Sequence, residues 1–148
     1  MSFNLSFGIP NLLLMKIIMQ KKHLYIAAGI IRDPQNNIFI AQRPMGSHMG
    51  GFWEFPGGKL ESNERAEDAL VRELDEEIGI IATEYQLFKK VEHEFDDRFI
   101  TLYFFLVTNW DNQPYGREGQ NSRWVKQSDL IADQFPPANR IVVDILTQ

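Results

Sequence analysis

Glu73, Glu76 and Glu77 fall in one stretch, Arg65 to Ile78, whose apolar residues recur with helical spacing. At about 100° per residue, with Glu73 set at zero, Ala66 lies near +20°, Ala69 near −40°, Leu70 near +60° and Leu74 near +100°, while Glu77 and Glu76 lie near +40° and −60°. The three carboxylates are therefore expected on the side that faces the core, with Asp68 and Asp75 opposite. Exposed like charges at this spacing cost roughly 0.2–0.5 kcal/mol per pair. Partly buried ones cost more, or take up a proton. They also crowd the C-terminal half of the helix, where the macrodipole disfavours anions. A divalent cation would offset all of this. Carboxylate oxygens are the ligands that Mg²⁺ prefers, and that ion keeps waters and shares itself with substrate phosphates. The chemistry on offer is metal-assisted hydrolysis of a phosphoanhydride. The competing reading is an ordinary solvated acidic face. The helix phase counts against it, and so does the Gly57-Gly58 pair upstream, because glycines let a backbone turn sharply and approach a ligand.

Such a helix needs a frame to aim it. His23 to Ile31 reads as a strand, Asp33-Pro34-Gln35-Asn36-Asn37 as a turn, and Ile38 to Arg43 as the returning strand. Met45 to Gly51 reads as a mobile glycine loop, and Phe52 to Phe55 as a short strand stopped by Pro56-Gly57-Gly58. Gly79 suits a C-terminal helix cap. Tyr85 to Phe95 and Arg98 to Val107 form two strands around Asp96-Asp97, Trp110 to Asn121 is a polar loop, and Arg123 to Lys126 is a short strand. Asp129 to Asp133 reads as a helical turn, and Pro136-Pro137 precedes a last helix that opens at Asn139 or Arg140 and runs to about Leu146. The fold class is α+β, a mixed sheet sandwiched between helices.

The 148 residues suit one domain, and 44% hydrophobic with 24% charged residues is ordinary globular composition. The formal net charge of −5 speaks against nonspecific binding to a nucleic-acid backbone, though not against a small anion held through a metal ion. With no cysteine, disulfides and thiolate metal sites are excluded, and a reducing cytoplasm is compatible. The apolar residues between Leu12 and Met19 fall short of the about 20 needed to span a membrane and lack the pattern of a secretory signal. Residues 1–20 are expected to be a loosely ordered extension, with Met15 or Met19 as alternative starts, and residues 21–148 the domain. A weak membrane-surface anchor is the lesser reading.

From Gly58, five residues lead to Glu64 and seven more to Arg72-Glu73-Leu74, followed by Asp75, Glu76-Glu77, Ile78, Gly79 and Ile80. This stretch, GKLESNERAEDALVRELDEEIGI, fills every specified position of the Nudix box, so the chain resembles the Nudix hydrolases. Beyond the box, AAGIIRD, FIAQRP, HMGGFWEFPGGKLE, FDDRFITLYFFLV, GREGQ and FPPAN look like the MutT-like members that hydrolyse 8-oxo-dGTP, from about Lys21 to Asn139.

The resemblance implies the Nudix α/β/α fold and a Mg²⁺-dependent enzyme, with Mn²⁺ as the alternative ion. It implies attack at the β-phosphorus of a nucleoside triphosphate, releasing the monophosphate and pyrophosphate and cleansing the nucleotide pool of mutagenic precursors. The metal ligands matched are the Gly57 carbonyl, Glu73, Glu76, Glu77 and Glu118. Arg72 would orient a carboxylate by a bidentate pair. Glu64 matches a further box carboxylate, either structural or placed behind the metal ligands. Glu73 is the favoured proton acceptor, with Glu118 second. Arg43, Gly58 and Lys59 fall near the phosphates and His48 near the nucleotide. Phe55, which reads with Phe39 as core, falls near the ligand in the family. The partner expected is a nucleotide, met by a cytoplasmic monomer without stable nucleic-acid or membrane binding.

Normal guanine shows two acceptors on its O6/N7 edge. Oxidation at C8 puts a proton on N7, so the edge becomes acceptor plus donor, which one side-chain amide matches. Asn139 occupies the matching place in Phe135-Pro136-Pro137-Ala138-Asn139, with the backbone near Arg98 as a second base contact. By residue type alone Asn139 serves equally as a helix cap. Adenine presents the reversed pair, so the amide by itself does not exclude it. Two departures stand out: Gly50-Gly51-Phe52-Trp53 is more glycine-rich and aromatic than in the bacterial relatives, which points to a looser mouth and wider substrate range, and Asn63 replaces the glycine usual before Glu64. The alternatives are a Nudix hydrolase of another nucleotide (an ordinary dNTP, a dinucleotide polyphosphate or a sugar nucleotide) and a non-catalytic Nudix module, which would be expected to lack box glutamates that are all present here.

Overall fold

The central strand β1 (Lys22–Arg32) is buried along Ala27–Ile31 on both faces, so its period-two alternation separates two cores instead of core from solvent. Ala27 and Ile31 pack with Phe39, Leu70, Leu74, Ile78, Phe105 and Val107 on one side. Ala28 and Ile30 pack with Ile38, Phe55, Phe104, Phe135 and Val142 on the other. In this computed structural model, residues 12–14 and 21–148 are described; residues 12–14 are helical with exposed leucines, and the expectation for the rest of 1–20 lies outside the described residues.

Among the described residues, six further strands belong to the sheet: β2 (Asn37–Gln42), β3 (Trp53–Glu54), β4 (Gly57–Lys59), β5 (Ile81–Glu94), β6 (Arg98–Asp111) and β7 (Ser122–Lys126). β1 runs parallel to β6, from Lys22 opposite Arg98 to Ile31 opposite Val107. Its other edge pairs antiparallel with β4 and then β2. β5 closes one side against β6, and β3 and β7 both pair with β2. Helix α1 (Ala66–Ile78) covers the first core, and α2 (Pro137–Leu146) covers the second. This is the expected α+β sandwich. Among the described residues, no helix is long and apolar enough to cross a membrane.

Several elements differ from the sequence reading. The Pro-Gly-Gly segment does not stop the sheet; Gly57–Lys59 continues as β4, with Gly57 opposite Ala28 and Gly58 opposite Ala27. A side chain at Gly57 would collide with the Ala27 carbonyl, and one at Gly58 with the Glu73 carboxylate. Missing side chains are what let this strand lie against β1 and beneath α1. β5 and β6 extend past the expected hairpin to Ile81 and Asp111, with register shifts between Ala82 and Tyr85 and between Leu87 and Lys89. The turn expected at 129–133 is two 3₁₀ turns, Gln127–Asp129 and Ala132–Gln134.

Helix α1 is anchored by Ala69, Leu70, Leu74 and Ile78, all fully buried. Each of the three larger side chains contributes about 1.5–3 kcal/mol of burial. The helix ends at Gly79, whose φ of 72° permits the left-handed cap and whose N–H donates to the Asp75 carbonyl.

Candidate active site

Two of the three box carboxylates face inward. The Glu73 side chain is 14% exposed, and Glu77 is half-buried with Oε1 accepting from the Gly57 N–H at 3.3 Å. Glu76 corrects the helix-phase expectation: its side chain is 57% exposed and reaches back one turn to Arg72, 3.6 Å away. Helix phase sets the direction of Cβ, and a long side chain then follows its nearest cation. Burial, with the charges of Glu54, Glu73 and Glu118 nearby, pushes the Glu77 carboxyl up to about 8. Burial also raises Glu73, and Glu76 and Glu118 add to the shift against the opposing pull of Arg72.

Arg72 ties the box together. Its Nε and Nη2 donate to both oxygens of Glu64 at 3.0 and 2.8 Å, Nη2 also donates to the Lys59 carbonyl at 3.0 Å, and Nη1 donates to Glu73 Oε2 at 3.1 Å. The guanidinium is thus engaged by the protein, gripping Glu64 with two bonds and orienting Glu73 with a third. Glu64 accepts from the Glu61 N–H as well, at 2.9 Å. The Arg72 bonds and that backbone bond hold the Glu64 carboxyl down at about 2. A depressed carboxyl contributes stability above its unfolded value and loses it as pH falls toward its folded value. The melting-temperature gap between wild type and Glu64→Gln is therefore expected to be steady above about pH 5 and to close between pH 4.5 and 2. A gap unchanged at pH 2 would show that the ion pair carries none of the acid stability.

Glu118 is placed by the loop that follows Asp111. Tyr115 N–H donates to the Ile78 carbonyl, Arg117 N–H and the Gln120 side-chain amide donate to the Glu77 carbonyl, and Arg117 Nη1 donates to the Asp75 carbonyl. The loop thus satisfies the Glu77 and Ile78 carbonyls, which have no partner within the helix, and sets a cation at the negative end of the dipole. Glu118 itself is exposed and lines a cavity of about 390 Å³ with Arg43, Glu54, Glu77 and Gln120.

A second cavity, of about 400 Å³, shares Arg43, Glu54 and Glu77 with the first. Its walls bring together His48, Phe55, Gly57, Gly58, Lys59, Arg98 and Asn139. Phe55 is both wall and core, 3% exposed and stacked on Phe135 at 5.4 Å between ring centroids. Asn139 is 9% exposed and sits inside α2, which begins at Pro137 with Pro136 before it. Among the described residues no side chain caps this helix end, and Pro136 holds the cap position, so the cap reading of Asn139 is overturned. Its backbone N–H serves the helix by donating to Pro136. Opposite strand ends add His93, Phe95 and Arg98; the Arg98 guanidinium lies over the Phe95 ring at 5.2 Å, and its buried Nε has no partner among the described residues. Trp53 lines neither cavity, so the expected aromatic widening of the mouth is not there; the ring packs on the α2-side core beneath Arg123 at 4.3 Å. A further cavity of about 440 Å³, lined by Arg32, Lys126 and Gln127 among others, holds none of the candidate residues.

Sequence reasoning missed Glu54. It stands in both cavities, with burial raising its carboxyl and Arg43 holding it at 2.9 Å. The only signal was a charge inside the short strand Trp53–Glu54.

The NUDIX domain family matches residues 27–144. The chain belongs to the Nudix family. It is 63% identical over 102 residues to an 8-oxo-dGTP diphosphatase of Proteus vulgaris, covering 69% of this chain and 91% of that one. It is 52% identical over 122 residues to the 8-oxo-dGTP diphosphatase of Escherichia coli K12, covering 82% and 95%. It is also similar to a MutT structure from a study of the Aliivibrio salmonicida and Vibrio cholerae proteins, at 49% identity and a TM-score of 0.73, with 85% and 98% covered.

Nudix hydrolases use a divalent metal, and the donor set here fits one. Every donor is a hard oxygen, and the inward carboxylates are pushed toward protonation by their burial and mutual charge, a strain that a divalent cation relieves. Among the described residues, no three such side chains form a closed ligand cluster; Arg72 draws Glu73 and Glu76 to itself, and Glu118 stands on its own loop.

Proposed function

We propose that this Nudix chain hydrolyses 8-oxo-dGTP to its monophosphate and pyrophosphate with Mg²⁺, removing a mutagenic precursor from the cytoplasmic nucleotide pool as a monomer. The observation that carries the reading is the pair of joined cavities. One presents a buried amide, Asn139, and apolar walls sized for a base; the other presents Glu77 and Glu118; Arg43 stands where they meet. A ligand with a purine at one end and a polyphosphate at the other spans them.

Glu73, Glu76, Glu77, Glu118 and the Gly57 carbonyl would hold the ion, with Mn²⁺ able to substitute. When bound, the ion neutralises the triphosphate and acidifies the attacking water. Arg43 and Lys59 face the phosphates. Arg72 occupies Glu73 Oε2, which leaves Oε1, on the Gly58 side, to accept the proton of that water. Asn139 meets the O6/N7 edge with one donor and one acceptor.

A nucleotide panel with Mg²⁺ and pyrophosphate as readout tests this. The kcat/KM for 8-oxo-dGTP should exceed that for dGTP by a factor of up to roughly 10⁴. A ratio near one would remove the sanitising role, and turnover confined to dinucleotide polyphosphates or sugar nucleotides would move the activity elsewhere in the family.

A further inference from the structure

We propose that Glu54 is a positioning residue that fixes the Arg43 guanidinium at the junction of the two cavities; the role rests on the reading of Arg43 as a phosphate contact. Arg43 directly follows β2, and Glu54 lies on β3, where it faces Ala41 across the ladder. The backbone of Arg43 is held twice, its N–H donating to Phe52 and its carbonyl accepting from Gly51. Its side chain is also held twice: Nε donates to the His48 carbonyl at 2.8 Å, and Nη1 to Glu54 Oε1 at 2.9 Å.

A guanidinium carries five N–H donors in a rigid fork. Two of them engage the protein here, so the plane is set and the remaining edge is left for an anion. Strand alternation explains why Glu54 can do this: its neighbours Trp53 and Phe55 pack into the α2-side core, which turns the side chain between them to the other face of the strand. Both partners are about 70% shielded, with side chains 30% and 28% exposed. A shielded ion pair is an expensive way to stabilise a fold. Its place, lining both cavities, is what orientation of a phosphate ligand requires.

Glu54 also stands near Glu77, so the rival role is that of a further metal ligand. The two separate in a cycle of Glu54→Ala, Glu54→Gln, Arg43→Ala and the double variant Arg43→Ala/Glu54→Ala. Steady-state hydrolysis of 8-oxo-dGTP and calorimetric binding of Mg²⁺ alone are the readouts. Glu54→Ala should lower kcat/KM by about tenfold or more, since misplacing a contact group by an ångström costs up to about a hundredfold. Glu54→Gln should recover most of that loss, because an amide oxygen still accepts from Arg43. In the Arg43→Ala background, Glu54→Ala should cost less than about twofold, and Mg²⁺ affinity should stay within about twofold throughout. The proposal is overturned if Glu54→Ala is silent, if its cost is the same with and without Arg43, or if Glu54→Gln is as damaging as Glu54→Ala and weakens Mg²⁺ binding. Should wild type prefer another nucleotide of the panel, the substrate reading fails alone, and the same cycle on that nucleotide still judges Glu54.

Discussion

Glu77→Gln is expected to lower kcat/KM at least about a hundredfold and, in the same protein, to make the metal-free fold more stable above neutral pH. The first effect follows from chemistry. Loss of an outer-shell partner already costs about 10- to 100-fold at metal sites, and an amide in place of a liganding carboxylate removes the charge itself. The second follows from the sign of the shift. The Glu77 carboxyl is pushed from an ordinary 4.5 to about 8 by burial and by the neighbouring Glu54, Glu73 and Glu118. A group whose folded value is raised contributes its stability below its unfolded value, and that contribution is lost as pH rises through the folded value. Metal-free wild type should therefore lose stability, on the order of a few kcal/mol, as pH rises from about 4.5 to 8. In Glu77→Gln the slope should flatten over that window. Mg²⁺ should raise the wild-type melting temperature most at the alkaline end and raise that of the variant little. Melting curves at several pH values, with EDTA and with Mg²⁺, test this. A variant that melts lower than wild type in EDTA at pH 8 would show that the Gly57 N–H bond to this carboxylate outweighs its burial.

The helix and its two inward glutamates were readable in advance because residue spacing fixes the angular position of each Cβ. Ala69, Leu70, Leu74 and Ile78 are the anchors the periodicity names, and Glu73 and Glu77 face where it aims them. Glu76 departs from the helix phase because its long side chain follows Arg72. Glycine is depleted in strands, so nothing in the sequence of Gly57–Lys59 marks it as one. Here the absent side chains are what admit the strand beneath α1. Asn139 was ambiguous while the start of α2 was unknown. Proline suits the first helical position, so the helix begins at Pro137 and Asn139 is its third residue, within the first turn. Glu54 was hidden because its partner lies eleven residues away across a loop whose path no local pattern specifies. Charges that meet only through tertiary structure carry no spacing signature.

Asn139→Ala is expected to erase most of the preference for 8-oxo-dGTP over dGTP. The amide lies in the base cavity and is 9% exposed, so water is a poor substitute for it. With 8-oxoguanine both of its groups are matched; with guanine, acceptor faces acceptor at N7. That one mismatch leaves two buried acceptors unpaired, N7 and the amide oxygen, at about 1–3 kcal/mol each, which is worth roughly 30-fold to 10⁴-fold in discrimination. Removal of the side chain should lower kcat/KM for 8-oxo-dGTP by a factor in that range and leave dGTP nearly unchanged, because dGTP gains little from the amide. Asn139→Asp sharpens the test. Its carboxylate offers two acceptors, which oppose O6 of 8-oxoguanine but match the two donors, N6 and N7, of 8-oxoadenine. Preference should then turn from 8-oxo-dGTP toward 8-oxo-dATP. If the alanine variant keeps the wild-type ratio, the base is read by the strand ends at His93, Phe95 and Arg98, and the amide is only part of the wall.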